Sequence, residues 1–187
     1  GLFGSPELKT EPIPVQMELY SGGWIPDQPQ NIPDIDTAQQ IADLFRRNYP
    51  PMYDSDLRHH DLVRYKTGEQ IIEQVQDGNA WLVARVEGIV VGASKFRREN
   101  RSGDPNREEI LFAWTLVEAD YRERGVATSL KKESFRILQS LKQSGKPVHV
   151  IGDVHVDNSP SRMALRSVRF TEESGKGPEF LTVRKIL

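Results

Sequence analysis

Residues 117–128, VEADYRERGVAT, put a glycine-containing turn between an apolar strand-like run and the start of a long helical pattern. A turn of this kind is an anion cradle, because the amides of a helix's first turn have no intrahelical acceptor and the helix dipole is positive there. Gly125 and Ala127 keep bulky side chains away from an approaching phosphate, while Arg122 and Arg124 add positive charge nearby. The stretch has neither the two-glycine spacing and lysine of a P-loop nor G-x-G-x-x-G, so nucleoside triphosphate and nicotinamide readings fall behind. A second concentration of chemistry lies downstream, where Asp153, His155 and Asp157 alternate and are expected on one strand face. Carboxylate, imidazole, carboxylate is a row that can shift protonation near neutrality; its plain alternative is a half-solvated polar face. His59 and His60, with Tyr49 and Tyr53, are candidates for lining a ligand cleft, with a solvated polar helix face as the plain alternative for the histidines. No metal is expected, since His149 and His155 on one strand would stand roughly 20 Å apart at about 3.3 Å per residue.

The elements that must position these groups can be read from periodicity. Val15, Met17 and Leu19 alternate with polar residues and predict a first strand after a proline- and glycine-rich arm. Asp36 with Gln39 reads as the start of a helix that Pro50-Pro51 stops; a second begins near Asp56, and a third follows Thr67, with Gln70 completing a capping-box pair. Residues 81–86 and 89–96 are β-rich runs joined by Glu87-Gly88, a two-residue hairpin turn. A polar loop over 97–108 leads to another strand at 109–117, and the long helix from Val126 is closed by Gly145 and Pro147. Val148, Val150, Val154 and Val156 share a face of the next strand, Asn158-Ser159-Pro160 restarts a short helix, and 180–187 ends the chain as a strand. The expected fold is α/β (α+β): a mixed, mostly antiparallel sheet with helices on both faces. The boundaries expected are an arm and first strand over 1–33 and one globular domain over 34–187.

Composition narrows the classes of function. The chain has 187 residues, enough for a substantial core in one domain. Its 25 basic and 27 acidic side chains give no strong field, which speaks against nucleic acid or membrane as partner. No apolar run approaches the roughly 20 residues of a membrane span and no leader opens the chain, so a cytoplasmic location is expected. Without cysteine there is no disulfide, no thiolate metal site and no cysteine nucleophile. Glycine in place of an initiator methionine suggests a processed or excised piece with flanking sequence.

On these residues the chain resembles the Gcn5-related N-acetyltransferase (GNAT) family. Arg122-x-x-Gly125-x-Ala127 is similar to its R/Q-x-x-G-x-G/A signature, and residues 154–158 with the short helix ending at Phe170 resemble its second motif; the resemblance covers about 80–187. It implies an acyl-CoA N-acyltransferase-like fold that carries acetyl from acetyl-CoA, as cosubstrate, to a primary amine in a ternary complex. The amides of Arg122, Glu123, Arg124, Gly125, Val126, Ala127 and Thr128 would hold the coenzyme's pyrophosphate. The backbone of Thr115, Leu116 and Val117 would pair with the pantetheine arm, and Asn158 would complete the coenzyme site. Asp153, five residues before Asn158, is the expected base, with His155 as its relay and Glu109 as second choice. Many members carry a tyrosine, the acid for the leaving thiolate, where this chain has Leu165. That departure raises the alternative of a catalytically weakened coenzyme-binding module. Lys131 and Lys132 read as the wet face of the long helix, with the coenzyme's ribose phosphate as their functional option. Expected partners are acetyl-CoA and an amine acceptor, with a homodimer among the assemblies.

Overall fold

The computed structural model describes residues 11–53 and 55–187. The arm expected over 1–33 therefore lies partly outside the described residues. Alternating Met17 and Leu19 form β1 (Gln16–Tyr20), an edge strand paired antiparallel with β2 (Asn79–Val86). β2 turns through Glu87 and Gly88, at φ 51° and 80°, into β3 (Ile89–Arg98). Both turn residues lie in the left-handed region that two-residue hairpins require. β4 (Glu108–Val117) completes the meander; β5 (Val148–His155) joins it in parallel, and β7 (Phe180–Ile186) and β6 (Thr171–Gly177) close the sheet in the order β1-β2-β3-β4-β5-β7-β6.

Helices cover both faces. On one side lie α1 (Ile35–Arg47), α2 (Ser55–Arg64) and α3 (Gly68–Gln76), with Ile41, Leu44, Phe45, Ile71 and Val75 packed on Trp81, Val83, Ala93 and Leu116. On the other lie α4 (Val126–Leu138) and α5 (Ser159–Ser167), whose Leu130, Phe135, Leu138 and Leu165 meet Leu82, Phe96, Ile110, Phe112 and Val150. Gly92 brings α4 close to the sheet, since a Cβ there would stand 3.1 Å from the Leu130 Cδ1.

The expected capping box at Thr67 and Gln70 is present, each side chain meeting the other residue's amide. α1, however, starts earlier than Asp36 predicts: Asp34 is its cap and accepts from the Thr37 amide at 2.7 Å. Pro33 just before favours an extended entry, and the side chain of Asp34 reaches the third residue onward. α4 gives way at Gln139 to a 3₁₀ turn ending at Gly145, φ 77°. β6 was not expected from sequence, being polar throughout and interrupted by glycines.

Candidate active site: a split sheet beside an amide cradle

β4 and β5 pair only from Glu108–Leu111 with Val148–Ile151. Beyond that point β4 continues beside β3 and β5 beside β7, so the sheet opens into a V. Two features cause the split. Ala113 is an extra residue in β4: Phe96 pairs with Phe112 but Lys95 pairs with Trp114, and such a bulge bends and twists its strand. Gly152 faces the apex, where a Cβ would lie 2.9 Å from the Phe112 carbonyl oxygen, so the strands meet there only because residue 152 has no side chain.

The bulge also inverts the alternation of β4. Ile110 and Phe112 join the core beneath α4, whereas Trp114 and Leu116 join the core beneath α1. Trp114 thus stands edge-on to Phe45 at 5.1 Å between ring centroids and within 6 Å of Tyr49 and Tyr53. On β5, Val150 and Val154 point to the α4 side. Asp153 and His155 alternate with them onto the α1 side, where His155 meets Tyr53 and Phe180 at 5.9 and 5.4 Å. The gap therefore connects two differently furnished faces.

The cradle stands at the mouth of the split. Gly125 caps α4 at φ 81°, and nothing lies within 4 Å of where its Cβ would be. Among the described residues, no backbone or side-chain acceptor meets the amides of Glu123, Arg124, Gly125, Val126, Ala127 and Thr128; Ser129, the next, bonds to the Gly125 carbonyl. The Arg122 amide is closed off by Ala119, and its side chain is a brace: Nε donates to the Val117 carbonyl at 3.1 Å and the guanidinium reaches Asn48 at the end of α1. Arg124 donates from Nε to the Glu11 carbonyl at 3.2 Å. Thr115 shares a 2.9 Å hydroxyl contact with Ser94. Asn158 caps α5, accepting from the Ser161 amide at 3.2 Å.

The groups expected to move protons are all engaged. Arg101 grips both oxygens of Asp153, at 3.0 and 2.8 Å. His155 is buried, and its Nδ1 accepts the Asp157 amide at 3.1 Å, so the neutral ring carries its proton on Nε2. Asp157 lies beyond the end of β5 with an exposed side chain, which breaks the expected three-residue row. Glu109 is buried near the closed end of the β4–β5 pairing. Burial pushes its carboxyl up, but hydrogen bonds from Ser102 and the Arg107 guanidinium outweigh this and hold it at about 2, which makes it a weak proton acceptor. His59 and His60 are exposed on α2, whereas Tyr53 reaches the split and Tyr49 donates to Asp61 at 2.8 Å. Burial, first, and the charges of Asp61 and Asp153 push the Tyr53 hydroxyl up to about 12.

Two lysines are buried against expectation: Lys95, which the sequence did not single out, and Lys131, which it placed on the wet face of the long helix. Lys95 donates to the Tyr65 hydroxyl at 2.6 Å, and burial, aided by Arg64 and Arg97, lowers it to about 7. Lys131 is 5% exposed rather than on the wet face, and burial alone lowers it to about 8. The signal was available for Lys131: it lies on the buried stripe of α4 with Ser134, Phe135 and Leu138, at helical spacing. Among the described residues there is no group of three His, Cys, Asp or Glu suited to a metal ion, and no helix long and apolar enough to cross a membrane.

At the level of sequence, no family model and no curated protein matches the chain. Solved structures do match in shape. The PaiA N-acetyltransferase of Thermoplasma acidophilum in complex with coenzyme A superposes with a TM-score of 0.65 at 13% identity, covering 91% of this chain and 99% of its own. A GNAT-family acetyltransferase of Streptococcus pneumoniae gives 0.59 at 14% identity, with 92% and 100% covered. Arabidopsis thaliana Naa50, bound to the bisubstrate analogue CoA-Ac-MVNAL, gives 0.53 at 13%, with 90% and 97% covered. The fold is that of the GNAT acetyltransferases.

Proposed function

We propose that this chain transfers acetyl from acetyl-CoA to a primary amine by direct attack in a ternary complex. The observation that carries the reading is the row of unpartnered amides from Glu123 to Thr128, at the positive end of α4 and beside a gap that opens the sheet to both faces. The pyrophosphate of the cosubstrate binds those amides. The arm follows the unpaired edge of β4 at Thr115 to Val117, and the thioester lies in the split, where strand amides stabilise the developing oxyanion. The amine arrives from the aromatic side, past Tyr53 and Trp114. Asp153 accepts its proton through water, using the lone pairs that Arg101 leaves free, and His155 orients that water as a donor. With no cysteine in the chain an acyl-thioenzyme is not a route. A cysteine-free chain also suits the reducing cytoplasm, where we place it.

A second reading has one observation in its favour: Leu165, at the position where many members of the family carry an acidic tyrosine, makes this a coenzyme-binding module with little turnover. One experiment separates the two. Coenzyme A near saturation should raise the melting temperature while ATP and NAD leave it unchanged, because only a ligand held by the folded state stabilises it. A thiol-release assay with acetyl-CoA and a panel of primary amines should then show turnover. Absence of any shift at millimolar coenzyme A removes both readings, and binding without turnover favours the module.

A further inference from the structure

Lys131 is a charged-type side chain in a place that gives it nothing to pair with. It projects from the second turn of α4 into a small cavity lined also by Thr115 of β4, Gly152 of β5, Ser161 and Leu165 of α5, Phe170, and Val183 of β7. It is 5% exposed, and among the described residues it makes no hydrogen bond and no ion pair. An amine held largely away from bulk water without a protein partner costs stability, and its Nζ, unlike the enclosed and unpaired Nε of Arg101, still opens onto the cavity. Across the elements packed around it the titratable group lining the cavity is Asp153, which Arg101 already holds from the other face; β4, α5 and β7 contribute neutral side chains there. The cavity runs through the split: Lys131, Leu165 and Phe170 line it from the α4 side, and Asp153 and Trp114 line it from the other, where His155 and Tyr53 stand beyond.

Resting on the acetyltransferase reading, we infer that Lys131 is the general acid that protonates the leaving sulfur, in the space that Leu165 leaves without a donor. The incoming amine nitrogen forms its bond to the thioester carbon and the carbon–sulfur bond breaks, its electron pair staying on sulfur. The Lys131 ammonium gives that sulfur a proton and is recharged from solvent, while the proton of the amine leaves on the Asp153 side. Acid and base thus act from opposite walls of one cavity. The match is favourable in energy as well as position: an ordinary thiol titrates at about 8.5, and an ammonium lowered to about 8 is still charged at neutral pH yet gives up its proton without a large penalty.

The test follows the Lys131 side chain directly, by the ¹³C shift of its ε-carbon in lysine-labelled protein, with the signal assigned by its loss in Lys131→Met. Methionine is apolar and close in length, so that variant should fold. Titrations are run free, with coenzyme A, and with desulfo-coenzyme A, which lacks only the sulfur. Contact with sulfur makes the midpoint higher with coenzyme A than with the desulfo analogue, by on the order of one pH unit, because the thiolate favours the ammonium. Equal midpoints with the two ligands overturn the proposal and put Lys131 on the phosphates or on no part of the ligand. Isothermal titration should give Lys131→Met an affinity for coenzyme A within about threefold of the wild type. With the best amine of the panel, kcat should fall on the order of 10²-fold at unchanged KM for acetyl-CoA, and Leu165→Tyr added to that variant should restore part of it. Unchanged kcat overturns the assignment. If coenzyme A does not bind the wild type, or binds and no amine is acetylated, the acetyltransferase reading itself fails, a result distinct from equal midpoints in an active enzyme.

Discussion

The amides of Glu123 to Thr128 and the carboxylate of Asp153 border the same split and are in opposite conditions. The amides have no acceptor among the described residues, whereas Asp153 is held at both oxygens by Arg101, His155 is bonded to the Asp157 amide, and Glu109 is saturated by Ser102 and Arg107. The backbone groups proposed to bind are thus open, and the carboxylates and imidazole proposed to move protons are already hydrogen-bonded. Backbone groups at a helix start have no acceptor within the helix, so they stay open to an external acceptor without any side chain having to move. A buried carboxylate is costly without partners, so Asp153 and Glu109 are held by donors in the free protein, and Lys131 is the exception.

The sharpest way to break that contrast is to fill the cradle. Gly125→Glu should abolish coenzyme A binding by calorimetry, because a carboxylate would enter the space that is now open and repel the pyrophosphate. Its φ of 81° makes the substitution strained by roughly 1–2 kcal/mol, small enough for the fold to survive in circular dichroism. Unchanged affinity in the folded variant places the phosphates elsewhere.

The engaged half is tested by Asp153→Asn, which should lower kcat/KM by about 10²–10⁴-fold while leaving coenzyme affinity nearly unchanged. Activity should recover partly at high pH, where an amine of pKa near 10.4 loses its proton unaided. Arg101→Met is the control that sharpens it. If the loss in Asp153→Asn comes only from breaking the pair, Arg101→Met reproduces it, and neither variant recovers with pH.

The cradle was legible in sequence because glycine, a small residue and arginine at fixed spacing are side-chain facts, and so were the hairpin at Glu87-Gly88 and the capping box at Thr67. The split was not. It depends on Ala113 being the residue that fails to pair, and nothing in the run Phe112-Ala113-Trp114 distinguishes a bulge from an unbroken strand until β3 is laid beside it. That one residue decides which face receives Trp114, and so which rings gather around Tyr53. Arg101 as the partner of Asp153 was equally hidden, since the two are 52 positions apart and meet through a loop. β6 was missed because an outermost strand needs only backbone bonds to β7 and carries no apolar alternation. Asp34 was missed for a smaller reason: two aspartates two residues apart both suit a cap, and the register of Ile41 and Phe45 on the core selects the first.

The buried lysines extend the comparison to stability. Burial holds Lys95 at about 7, below an unfolded value near 10.4, so from pH 7 to about 10 the unfolded chain binds the extra proton and stability rises with pH. Below pH 7 both states are charged and this contribution is flat. Urea unfolding of the wild type should show the rise between pH 7 and 9, and Lys95→Met should reduce its slope by up to one proton's worth, about 1.4 kcal/mol per pH unit. Lys131→Met should remove a rise that begins about one unit higher, as its value of about 8 requires. A slope identical in Lys95→Met and wild type shows that Lys95 stays charged against Tyr65.

The smallest effect belongs to a residue far from the split, and it separates local order from site chemistry. Thr67 caps α3, its hydroxyl accepting the Gln70 amide at 3.3 Å while the Gln70 side chain accepts the Thr67 amide at 2.9 Å. Alanine keeps the helix but orphans the Gln70 amide, which ordinarily costs about 1 kcal/mol. For a chain of this size that is a fall of roughly 2–4 °C in melting temperature. α3 packs on α1 and β2 and contributes no residue to the cradle or the split, so affinity for coenzyme A, measured well below the transition, should be unchanged. If Thr67→Ala weakens coenzyme binding as much as it weakens the fold, the cradle is not the self-contained, preformed half of the site that its unpartnered amides make it.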